Sequence, residues 1–135
     1  MSEIAVFDTS VLIANQRTAC HSQRMADVTG LVRLSSVVLA ELWRGATRAD
    51  EWEFLRDLER HHPILTPTEK SWLESGRILA KIYADKGFEP GKLRDLHFDV
   101  LIALTARSCG ARLITSNRAD FELIREYREF RLEVW

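Results

Sequence analysis

Asp8, Glu41, Asp99 and Asp120 stand where a sequence ordinarily keeps charge away. Asp8 closes the apolar run Ile4-Ala5-Val6-Phe7, Glu41 interrupts the run Val37 to Trp43, Asp99 opens the run Val100 to Leu104, and Asp120 follows the run Ala111 to Thr115 by a short polar turn. A lone carboxylate in such surroundings costs several kcal/mol to bury ionised, so it must be paired, neutral, or facing a polar cavity or a cation. Each acid also has a purely structural reading: Asp8 can cap the helix that follows it, and Asn117 or Asp120 can do the same for theirs. Taken together they ask for one explanation. Hard oxygen ligands gathered in a crevice are what Mg²⁺ or Mn²⁺ requires. Without a cation the cluster repels itself, by about 4 kcal/mol for two charges 4 Å apart at an effective dielectric of 20.

The elements that must position these acids read as alternating strands and helices. Ile4 to Phe7, apolar without alternation, is a strand buried on both faces, and Thr9-Ser10 open a helix behind it. In open α/β sheets ligands bind beyond the carboxyl ends of strands, which is where Asp8 falls. Cys20 to Val28 reads as a short helix and Leu31 to Leu34 as a second strand. Ser35-Ser36 cap the apolar helix that carries Glu41 and stops at Gly45. Residues 48–60 form a charged amphipathic helix with Trp52, Leu55 and Leu58 inward, and Ile64-Leu65 a third strand. A helix from Lys70 to Asp85 places Trp72, Gly76, Leu79 and Tyr83 near helical spacing. Lys86 to Gly91 reads as loop, Leu96 to Ser108 as a densely apolar helix, and Ala111 to Thr115 as a core strand. After the turn 116–120, a helix runs from Phe121 to about Tyr127, and Phe130 to Trp135 alternates as an edge strand. This order predicts an α/β fold, one domain over residues 1–135, with a mostly parallel central sheet flanked by helices.

Composition excludes several classes. Hydrophobic residues make up 46% and charged residues 29% of the 135, the balance of a globular protein, and the net charge of −1 advertises no overall basic field. Discounting the four acids leaves the remainder at +3, a mildly basic surface around an acidic centre that suits a grip on a phosphate backbone. Fifteen of the 19 basic residues are Arg, whose planar fork matches phosphate. Cys20 and Cys109 fit no metal spacing and read as buried or indifferent thiols. No run approaches the ~20 apolar residues of a membrane span, and no signal peptide is evident, so no membrane partner and a cytoplasmic location are expected.

Four stretches, in order, resemble the acidic motifs of PIN-domain ribonucleases. They are Phe7-Asp8-Thr9-Ser10-Val11-Leu12-Ile13, Val38-Leu39-Ala40-Glu41-Leu42, Asp99-Val100-Leu101-Ile102-Ala103-Leu104-Thr105-Ala106 and Thr115-Ser116-Asn117-Arg118-Ala119-Asp120-Phe121. Among these ribonucleases the chain is most similar to the VapC toxins of prokaryotic type II toxin–antitoxin pairs, and the resemblance spans essentially its whole length. It implies that Asp8, Glu41 and Asp99 take the first three acidic positions. At the fourth, Asn117 stands where some members have Asp, and Asp120 is the acid available. It further implies catalytic metal ligation by Asp8, Glu41, Asp99 and Asp120, with Mg²⁺, or Mn²⁺ in its place, activating water for RNA phosphodiester hydrolysis. Thr9, Ser10, Thr115 and Asn117 would position water or phosphate, and Arg118 would touch the RNA backbone. An antitoxin partner and a homodimer belong to the same implication.

Other residues are given ordinary roles. Asp95, one turn before Asp99, reads as a helix cap or surface charge, and His97 as a surface or capping histidine. Adjacent His61 and His62 make no metal spacing with the acids. Trp43, Trp52 and Trp72 occupy helical core positions, and Trp135 suits an interface. Two competing readings stand beside the nuclease. One is a non-catalytic PIN-like module that binds RNA or protein, against which the intact acids argue. The other is phosphoryl transfer through an aspartyl nucleophile at Asp8, against which stands the absence of a second Asp two residues on.

Overall fold

The computed structural model describes residues 3–135. Among them the chain forms β1 (Ile4–Phe7), α1 (Thr9–Thr18), α2 (Ser22–Ala26), β2 (Leu31–Ser35), α3 (Ser36–Gly45), α4 (Ala49–His61), β3 (Ile64–Leu65), α5 (Glu69–Lys86), α6 (Pro90–Ser108), β4 (Arg112–Thr115), α7 (Arg118–Tyr127) and β5 (Arg131–Val134). The sheet order is β3-β2-β1-β4-β5, and every described pairing is parallel. Successive strands step outward on one side of β1 and then on the other, so the topological switch point lies between β1 and β4, where such sheets open a crevice.

Ala5, Val6, Phe7, Leu113 and Ile114 on the two central strands are buried, and so is the α6 run from Val100 to Ala106. Truncating a core side chain such as Ile102 to Ala costs about 2–5 kcal/mol. Gly30 (φ 94°) leads into β2 in a backbone region that favours glycine, and a Cβ there would overlap the Glu3 carbonyl.

Three readings of the sequence are corrected. First, α6 starts at Pro90 rather than Leu96, because Pro90 sits at the first helical position, where its fixed φ suits the helix and its missing N–H is not needed. The loop shrinks to residues 87–89, and Gly87 (φ 64°) ends α5 in the left-handed region. Asp95 therefore lies inside a helix, exposed, and caps nothing. Second, α5 turns a different face inward. Its buried residues are Ser71, Ser75, Ile78 and Ile82, whereas Trp72 and Tyr83 are more than half exposed. The small serines let α5 approach α6, and Ser75 Oγ meets His97 Nε2 at 3.0 Å, which engages that histidine away from Asp99. Third, Trp52 on α4 is exposed and donates to the Ala46 carbonyl (3.2 Å), while Leu55 alone of that helix is buried.

Smaller differences follow the same logic. Cys20 and Cys109 are exposed rather than buried. α7 begins at Arg118 because Asn117 caps it. Trp135 packs within its own chain, against Phe7 and His21, with Arg24 over its ring. No described helix is long and apolar enough to cross a membrane.

Candidate active site

The crevice is built from four elements. β1 delivers Asp8, whose backbone N–H donates to the Ile114 carbonyl at 2.8 Å and so ties it to β4. Asp8 occupies the cap position of α1, yet its side chain makes no capping bond. Instead one carboxylate oxygen, Oδ2, accepts from Ser10 Oγ (2.8 Å) and Thr115 Oγ1 (2.8 Å). Ser10 Oγ in turn accepts from the Ser116 backbone N–H (3.1 Å), and Thr115 Oγ1 from that of Asn117 (2.9 Å). The two hydroxyls thus orient a buried carboxylate while the following turn orients them. That differs from the water- or phosphate-positioning role the sequence proposes for both.

α3 carries Glu41. Ser35 starts this helix by accepting from the backbone N–H groups of Val37 and Val38. Val37, Val38, Leu39 and Leu42 are buried, which leaves Glu41 half-buried at the crevice. Thr9 Oγ1 donates to Glu41 Oε1 at 2.9 Å, so Thr9 also serves a carboxylate. Burial pushes the Glu41 carboxyl above its ordinary range, the Thr9 bond opposes that, and the Asp8 charge adds to it.

Asp99 is the most perturbed of the four. Burial first, and then the charges of Asp8, Glu41 and Asp120, push it up to about 8, with only Lys92 acting the other way. Among the described residues nothing donates a hydrogen bond to it.

Asp120 behaves in the opposite way. Burial raises it, but hydrogen bonds from Lys92 Nζ to Oδ1 (2.8 Å) and Asn117 Nδ2 to Oδ2 (3.1 Å) prevail and hold it below the usual range. Asn117 also accepts from the Asp120 backbone N–H (3.4 Å) as the cap of α7, so it supports the acid beside it. Arg118 is exposed and pairs with Glu122 (3.0 Å), away from the carboxylates. Lys92 escapes a reading that treats Pro90-Gly91 as loop. Once the helix starts at Pro90, Lys92, Asp95 and Asp99 share a face at i, i+3 and i+7.

The charges of Asp8, Glu41 and Asp120 all lie near enough to act on the Asp99 carboxyl. Yet among the described residues no three His, Cys, Asp or Glu side chains already stand together as a cage for an ion. The donor set still fits a hard divalent cation: it is all oxygen, and Asp99 lacks a partner that such a cation would provide. Beside Glu41 opens a groove of about 580 Å³ between α1 and α3, with Arg17 and Arg48 on its walls.

A family model described as the PIN domain matches residues 5–127. The chain belongs to the PIN-domain family. Solved structures share the fold at low identity. The DNA-bound VapBC structure from Salmonella typhimurium matches with a TM-score of 0.74 and 24% identity, covering 100% of this chain and 99% of that one. VapBC-1 from nontypeable Haemophilus influenzae matches with a TM-score of 0.72 and 24% identity over 98% of both chains. VapBC-5 from Mycobacterium tuberculosis, a member of the VapBC family of toxin–antitoxin systems, matches with a TM-score of 0.60 and 23% identity over 98% of both chains. No curated protein matches the chain significantly. In this PIN domain Asp8 stands at the β1/β4 switch point, and its charge, with those of Glu41 and Asp120, acts on Asp99.

Proposed function

We propose that this PIN domain is a divalent-metal-dependent endoribonuclease acting as the toxin of a type II toxin–antitoxin pair. The observation that carries the reading is Asp99, a half-buried carboxylate with no donor among the described residues, facing the charges of Asp8, Glu41 and Asp120. A group kept so costly without a ligand is a mark of a functional site.

Asp8, Glu41 and Asp99 would hold the ion, with Asp120 at the edge of the set. Bound Mg²⁺, or Mn²⁺ in its place, supplies a water of lowered pKa and neutralises charge developing on the phosphate. The chain's own residues do the rest. Ser10 and Thr115 keep Asp8 in one rotamer, and Thr9 keeps Glu41 in another, so that two ligand oxygens are oriented before substrate arrives. Arg17 and Arg48, along the groove that leads to Glu41, suit an RNA backbone running into the crevice. Arg118, exposed and paired with Glu122, is free at its outer face to meet that backbone.

The named neighbours are VapBC structures, which supports an antitoxin partner for this chain. A homodimer and a cytoplasmic location complete the reading. The test is cleavage of a mixed cellular RNA pool by the purified, antitoxin-free protein, with Mg²⁺, with EDTA, and with the variants Asp8→Asn and Asp99→Asn. Metal-dependent cutting that both variants lose establishes the nuclease. If the folded parent cuts nothing with Mg²⁺ or Mn²⁺, or the variants cut equally well, the non-catalytic RNA- or protein-binding module takes its place.

A further inference from the structure

The four acids are not equivalent in what they leave free. Both carboxylate oxygens of Asp120 are engaged, Oδ1 by the Lys92 ammonium at 2.8 Å and Oδ2 by the Asn117 amide at 3.1 Å. Asp99 has neither kind of partner among the described residues. Lys92 is the third residue of α6, a helix whose later turns are packed into the core, so its backbone position is fixed. Its stem is partly covered and its ammonium remains within reach of the crevice, with the side chain 40% exposed.

Charge balance then limits what the crevice can take. Four carboxylates and one ammonium sum to −3, so one divalent ion brings the cluster to −1, whereas a second would leave it at +1, with the Lys92 ammonium already on Asp120 Oδ1. Like charges brought together in a partly desolvated crevice repel more than they do in water. Without Lys92 the same acids sum to −4, and two divalent ions balance them.

We propose that Lys92 is a built-in cation in the place of a second metal ion: it ties up Asp120 and restricts the crevice to one divalent ion held by Asp8, Glu41 and Asp99. Lys92 is thereby a positioning residue. The inference rests on the carboxylate–metal reading above and adds the number of ions and the residue that sets it.

Counting bound Mn²⁺ tests this without any turnover. The antitoxin-free full chain is titrated with Mn²⁺ by calorimetry, and free Mn²⁺ is counted by electron paramagnetic resonance, for the parent, Lys92→Met, Lys92→Arg and Asp120→Asn. The parent is expected to bind one ion per chain, Lys92→Met two, and Lys92→Arg one again, since it restores the charge. Asp120→Asn is expected to keep one ion, because the three ligating acids remain. That variant also decides the matter should Lys92→Met fail to fold. Two ions in the parent, one in a folded Lys92→Met, or loss of the ion in Asp120→Asn would overturn the assignment. A folded parent that binds no Mn²⁺ removes the carboxylate–metal reading itself, and so separates that failure from a failure of the Lys92 assignment alone.

Discussion

Asp8 and Asp99 lie near one another but on different kinds of element, a strand end and a helix. Asp8, at the end of a central strand, has two hydroxyl donors on one oxygen, each oriented by a backbone N–H of the β4–α7 turn. Asp99, on the most buried helix of the chain, has no donor among the described residues and is pushed up to about 8 by burial and by its acidic neighbours. The contrast follows from what each element offers. A strand end opens into a turn, whose free N–H groups and small polar side chains are at hand to satisfy a carboxylate. A helix engages its own backbone internally, so an acid on its apolar flank receives nothing from it. The strand side is thus organised before any ligand arrives, while the helix side remains costly until one does.

The sharpest break of this contrast is Asp99→Asn. It is expected to lower metal-dependent RNA cleavage by more than the 10–100-fold typical of residues that merely support a ligand. It is also expected to raise the melting temperature of the metal-free protein at neutral pH, because it removes a self-repelling, desolvated acid. Activity and stability moving in opposite directions, read by cleavage and by circular dichroism, mark a group kept for function. A variant that loses both would place Asp99 among structural residues.

The pH response follows with its sign. The folded Asp99 carboxyl titrates near 8, above its ordinary 3.8, so the folded state holds a proton that the unfolded chain lacks between those values. Stability of the metal-free protein is therefore expected to fall as pH rises from about 4 to about 8, and to flatten in Asp99→Asn. Metal binding must displace that proton. Apparent Mn²⁺ affinity should climb up to about tenfold per pH unit until Asp99 is ionised, and level off above about pH 8. Calorimetry in buffers of different ionisation enthalpy, counting protons released at pH 7, gives the check. No proton release would mean that Asp99 is already ionised or takes no part.

On the strand side, Thr115→Val strips one donor from the buried Asp8 and is expected to cost about 1–3 kcal/mol of stability at neutral pH. Denaturant unfolding measures this, and a neutral result would show that Ser10 alone suffices. Thr9→Val should have the smallest effect. It removes the bond that opposes the upward shift of half-buried Glu41, so the acid limb of the cleavage profile moves to higher pH with little change at its plateau. An unmoved acid limb would sever Glu41 from the rate.

Much of this site is legible along the chain. The run Ile4 to Phe7 with Asp8 behind it, Glu41 within an apolar helix and Asp99 directly before the apolar run Val100 to Leu104 are local contradictions between polarity and surroundings, and local contradictions survive in a linear reading. Faces and starts of helices are less legible. Trp72 and Tyr83 promise a core stripe by spacing, yet α5 buries Ser71 and Ser75 instead, because close approach of a neighbouring helix selects small residues over large ones. Pro90-Gly91 looks like a loop until the helix that follows is seen to use proline as its first residue.

The chain by itself determined the alternation of strands and helices, the parallel sheet that follows from it, and the four acids placed against their surroundings, since each depends on residues near one another in sequence. Tertiary structure alone decided how each acid is held. Thr115 lies 107 residues from Asp8, Glu41 lies 32 from Thr9, and Lys92 lies 28 from Asp120, and a hydrogen bond reaches only about 3 Å. Which carboxylate is satisfied, which is left wanting a cation, and which already has one are set by packing across those distances.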